Sequence, residues 1–177
     1  MDYYKPILTS DIYPDTPWND IYDFKFLSPL ILRREPKALS GRKGGDADYI
    51  LAADYKVSYR LDGEPEPRTI TVPSGMLTDL ASVPWFGRWY VGRVGRHLEA
   101  CIVHDFLYCA WENIPKYRRR PRDKVFADCM LMAGMEAAKV RWDKRHVVFQ
   151  MVWWFGGPAF RARRRNRYVV LNPENPE

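Results

Sequence analysis

The chain has 177 residues, a formal charge of +6 and 46% hydrophobic residues. That length fits one domain with a trailing arm, and the apolar share excludes disorder of the bulk. Three cysteines (Cys101, Cys109, Cys129) without a regular framework exclude a disulfide scaffold, and no apolar run reaches the length of a membrane span.

Residues 1–25 carry Pro6, Pro14 and Pro17 among aspartates and aromatics, and read as an extended arm laid on a neighbour. Met1 to Pro6 has neither a basic start nor an apolar run, so a chain made in a cytoplasm is expected. Phe26 to Arg33 reads as a strand, and the glycines at 41, 44 and 45 mark a loop that lacks the spacing of a phosphate-binding one. Tyr49 to Leu61 reads as one long strand with Val57, Tyr59 and Leu61 on one side. Asp62-Gly63 is the turn, and Arg68 to Val72 returns antiparallel.

The pattern then becomes helical. Ser82-Val83-Pro84 resembles a helix start. Helices are expected over Gly95–Trp111, over Pro121–Ala138 with Val125, Cys129, Met132 and Met135 inward, and over Lys144–Phe155, stopped by Gly156-Gly157-Pro158. The Trp153-Trp154-Phe155 run reads as core. The expected fold is α+β: an N-terminal antiparallel sheet or hairpin, then three helices. A single domain over 26–160 is mainly β to residue 77 and mainly α from 78, and 161–177 form a basic tail. Two arginine-rich runs, 116–122 and 161–167, suit phosphate on nucleic acid or anionic lipid, an acidic protein, or plain solvation.

The chemistry concentrates on the first helix. His104-Asp105 and Tyr108 share a stripe with Cys101, and a base and a carboxylate on a buried face need partners. Asp79, in the turn after the second hairpin strand, could join Asp105 around a hard divalent ion, with carbonyls and water completing its shell. His104 could then take a proton from a nearby water. Asp123, at the start of the next helix, could fix the imidazole tautomer if the two helices run antiparallel. The same residues can equally form a buried polar network that holds two helices in register. Cys101-x-x-His104 has zinc-like spacing without a second pair, and His97 with His104 and Asp105 suggests a metal phosphohydrolase lacking its usual separate histidine.

The run from Val72 to Pro84, then His104-Asp105-Phe106-Leu107-Tyr108, Asp123 with Phe126, Gly134 and Phe155-Gly156-Gly157-Pro158 resemble the signature of a domain-of-unknown-function family common in phages and prophages. That resemblance implies a phage or prophage setting and a bacterial host, while the Pro-rich start and basic end, read as segments that order on binding, suggest a particle component at tail or head–tail that grips other structural proteins or its own copies. A second resemblance is to bacterial and fungal secreted phospholipases A2, through Thr78-Asp79, His104 to Tyr108, and Asp123 with Phe126. It implies His104 as base, Asp123 as the residue that orients it, Tyr108 in support, and calcium on Asp79, Asp105 and the Leu80 carbonyl. Leu107 stands where those enzymes have glycine, and their disulfides are missing. A calcium-dependent lipid or ester hydrolase, a particle component retaining the site for packing, and a basic nucleic-acid binder are the expected functions.

Overall fold

The computed structural model describes residues 2–15, 20–35, 48–78, 95–162 and 168–171. Its strands are β1 (Tyr3–Tyr4), β2 (Ile21–Phe26), β3 (Leu32–Glu35), β4 (Asp48–Leu51), β5 (Tyr55–Leu61), β6 (Arg68–Val72), β7 (Leu77–Thr78) and β8 (Tyr168–Val169). They form two three-stranded antiparallel sheets, ordered β2-β5-β6 and β3-β4-β7, and the pair β1-β8. Tyr55, Val57, Tyr59 and Leu61 alternate along the central strand β5 and are all buried, as a period of two requires. Gly63, at φ +81°, supplies the turn into β6.

Among the described residues four α-helices follow: α1 (Leu98–Cys109), α2 (Pro121–Ala137), α3 (Trp142–Phe155) and the short α4 (Gly157–Arg161). The fold is therefore α+β, with strands early and helices late, and has one more described helix than the sequence suggested. Nine of the twelve α1 residues are buried, because α1 packs along α2 while Ile102, Val103, Phe106 and Leu107 enter the core shared with the sheet residues. α2 starts with Pro121 at its first position, where the missing N–H costs nothing. Its inward face carries Phe126, Ala127, Met130, Leu131 and Met135, while Val125, Cys129 and Met132 are half-buried. The expected stripe was thus rotated from the observed one.

Several boundaries differ from expectation. The long strand over 49–61 breaks at Ala52–Asp54, where the Asp54 carboxylate accepts the Ser74 N–H at 2.8 Å. The strand expected over 26–33 falls across the gap between β2 and β3, since Pro29 cannot donate to a ladder and Ser28 Oγ accepts the Lys56 N–H. The described part of residues 1–25, expected as an arm on a neighbour, packs on its own chain: Tyr13 is fully buried, stacks on Tyr117 at 5.6 Å and donates its hydroxyl to the Leu107 carbonyl, and Ile21–Phe26 pairs with β5. Nor is 161–177 wholly a tail, because Tyr168 and Val169 are buried and pair with β1. The expected helix start at Ser82–Pro84 lies outside the described residues.

Candidate active site

His104 and Tyr108 lie one turn apart on the face of α1 that meets α2, their ring centroids 4.0 Å apart. Helices α1 and α2 run antiparallel here. Gly134 lies against Ala100, so closely that a Cβ on it would stand 2.8 Å from the alanine methyl. Six residues back along α2, Asp128 meets His104, four residues on along α1. The Asp128 Oδ1 lies 3.2 Å from His104 Nε2 and accepts the Tyr108 hydroxyl at 2.6 Å. Its Oδ2 accepts from Lys124 Nζ at 2.5 Å, and Lys124 also donates to the carbonyls of Val152 and Trp153. Three side chains thus share one carboxylate that has no solvent exposure.

This network fixes the imidazole. Ionised Asp128 can only accept, so His104 Nε2 carries the proton and Nδ1 holds the lone pair in the neutral ring. Nδ1 has no hydrogen-bond partner among the described residues and lies 4.0 Å from Asp105 Oδ1. Burial pushes the His104 pKa down, but Asp105 and Asp128 outweigh it and hold the ring above its ordinary value. Burial likewise pushes the Asp128 carboxyl up. The hydrogen bonds from His104, Lys124 and Tyr108 reverse that and leave it below the usual carboxylate value. Tyr108 is raised, first by burial and then by Asp128, so its hydroxyl stays a donor.

Asp123 does not reach this group. It is the third residue of α2, and its carboxylate turns back to accept the Arg120 N–H at 2.7 Å, Arg120 Nε at 3.0 Å and the Tyr117 hydroxyl at 3.1 Å. That is a capping arrangement. Five residues of helix separate it from Asp128, about 7.5 Å along the axis, so Asp128 occupies the orienting position expected for Asp123. The sequence carried a signal for this: Lys124, Asp128, Leu131 and Met135 recur at helical spacing, placing a charged pair in an apolar stripe.

Asp105 accepts the Thr78 hydroxyl at 3.0 Å, which ties α1 to the end of β7. Asp79 and Leu80 lie outside the described residues. Calcium takes six to eight oxygens, and Asp105 is the one member of the expected set that is described. Among the described residues no group of three His, Cys, Asp or Glu could hold a metal. Cys101 is buried beside Leu131 and Val148, and its thiol is pushed well up by burial, so the zinc-like spacing gathers no site there. His97 stands at the position before α1, where its side chain makes no capping hydrogen bond to the helix.

Two glycines of the signature also find a reason. Gly156 ends α3 against Tyr108, and a Cβ there would lie 2.2 Å from the tyrosine hydroxyl oxygen. Gly75, at φ +80°, lets the Val169 carbonyl approach its backbone. In contrast, Trp153, Trp154 and Phe155 are 44%, 69% and 56% exposed, which overturns their reading as core.

A family model described as a protein of unknown function, DUF1353, matches residues 52–152. No curated protein and no solved structure matches the chain.

Proposed function

The chain belongs to the DUF1353 family of unknown function, and we propose that it carries a water-activating hydrolytic site acting on phospholipid or related esters. One observation carries this reading: a buried imidazole held at Nε2 by Asp128, with Nδ1 left without a hydrogen-bond partner among the described residues. In this proposal Nδ1 of neutral His104 accepts a proton from water as that water attacks the ester carbonyl. Asp128 holds the tautomer and stabilises the imidazolium, Tyr108 and Lys124 hold Asp128, and the proton then passes to the leaving alkoxide. Calcium, as the phospholipase resemblance implies, would sit on Asp105 with Asp79 and the Leu80 carbonyl. When bound it would supply Lewis-acid polarisation of the carbonyl. The setting proposed is a phage particle, with the chain an accessory component at tail or head–tail.

The test is fatty-acid release from phosphatidylglycerol vesicles, with calcium or with a chelator. The expected result is release that needs calcium and falls by about 10²–10⁴-fold in His104→Gln, the range of general-base contributions. Release no greater than that of His104→Gln removes the enzyme. Release that survives the chelator removes calcium alone.

A second reading is favoured by the exposure of His104, which is only 2%. Under it the network is a lock between α1 and α2, and the chain is a particle component without catalysis. Presence in purified particles at fixed stoichiometry, together with inactive vesicle assays, is its expected signature.

A further inference from the structure

The end of α3 breaks the rule that large rings are buried. Trp153, Trp154 and Phe155 are consecutive and all more than two-fifths exposed, with Trp154 at 69%. Beside them, between the start of α2 and α4, lies a cleft of about 630 Å³. Trp153 and Trp154 form part of its wall, with Phe160 beside them, and its charged lining residues (Arg119, Arg120, Lys124 and Arg161) are all cations. Arg120 is neutralised by Asp15 and Asp123, and Lys124 by Asp128. Arg119 stacks 5.0 Å over Trp111 and donates to the Arg161 carbonyl, so its charge has no carboxylate against it in those contacts. Arg161 is exposed at the end of α4.

Contiguous exposed aromatics rimmed by cations mark a surface that meets something both apolar and anionic. Two partners share that chemistry: a lipid bilayer and a single-stranded nucleic acid. Successive helix residues point about 100° apart, so Trp153, Trp154 and Phe155 fan around the end of α3. Single strands instead need ring faces in sequence along a groove, for base after base to stack on. A fan of rings at a helix end suits insertion at the headgroup level, where tryptophan is favoured. The arginines beside it suit an anionic leaflet.

We propose that the α3–α4 end, through Trp153, Trp154, Phe155, Arg119 and Arg161, docks the chain on the surface of an anionic bilayer. The face meets the His104 network through Lys124 and Asp128, which arrive at the Nε2 edge, and through Phe160 against Tyr108. Docking therefore holds the chain at the membrane, and does so whether or not His104 is catalytic.

The test is co-sedimentation of the full chain with vesicles of phosphatidylcholine alone or mixed with phosphatidylglycerol, together with a single-stranded oligonucleotide at the same salt. Binding is expected to the mixed vesicles and to be much weaker to the neutral ones. Trp154→Ala with Phe155→Ala should weaken it about tenfold or more, and Arg161→Gln about fivefold. All of these side chains are exposed, so circular dichroism should show an unchanged fold. His104→Gln should bind as the parent does, which separates this proposal from the enzymatic one. Equal binding to neutral and mixed vesicles, or variants that bind as the parent does, would overturn it. So would tighter binding to the oligonucleotide that is lost in the same variants.

Discussion

Asp128 decides the chemistry of the site, because one buried carboxylate meets His104, Tyr108 and Lys124 together. Asp128→Asn keeps the shape and the tyrosine contact but removes the charge. Lys124 and the imidazole then lose their counter-ion, and stability should fall toward the low end of about 3–5 kcal/mol, since Lys124 keeps some access to water. Urea denaturation reads this directly. The same change should lower the His104 pKa, and an NMR titration of the ring or the acid limb of an activity profile should move to lower pH. The linkage signs are opposite for the two partners. His104 is raised in the fold, so its share of stability is complete below its ordinary value of 6.5 and fades as pH rises through the folded value. Asp128 is lowered, so its share is complete above its ordinary 3.8 and is lost as pH falls through the folded value. Stability carried by the pair should therefore peak in the weakly acidic range and decline on both sides. His104, Asp105 and Tyr108 were legible in the sequence from their helical spacing. The spacing places Asp128 in the apolar stripe of α2, but choosing it over Asp123 as the partner of His104 requires the register of α2 against α1, which no local pattern encodes.

The element scale explains why small residues stand where helices meet. Gly134 admits Ala100, and Gly156 admits the Tyr108 hydroxyl. Gly156→Ala would place a methyl into that hydroxyl and into the Val152 carbonyl, so the tyrosine must swing away from Asp128. The expected cost is about 1–3 kcal/mol, the range for overpacking, with a lower melting temperature by calorimetry and a weakened hold on the imidazole. Existence and type of α1, α2 and α3 were readable from periodicity and from Pro121 and Gly156. The outward-facing rings of Trp153, Trp154 and Phe155 were not, since an apolar run at a helix end reads as core unless its exposure is known.

At the scale of the molecule, the fold is larger than the span that identifies it. Residues 52–152 exclude β2, which pairs with the central strand β5, and Tyr13, which fills the space beside Tyr117 and Phe126. The first 25 residues looked like an arm because prolines and aspartates dominate their composition, whereas three or four well-placed apolar side chains suffice to anchor them. The last residues looked like a tail because the arginine run hides the short Tyr-Val pair behind it.

The β1–β8 pair has a mechanical consequence. Tyr3 lies opposite Val169 and Tyr4 opposite Tyr168, so the outermost rungs belong to the residues nearest the two chain ends. Tension applied through those ends would peel the ladder rung by rung instead of shearing all its bonds at once. Single-molecule stretching should accordingly record a low-force first event that frees this clasp while the helices around His104 stay assembled. A single high-force rupture of the entire body would contradict that mechanical picture.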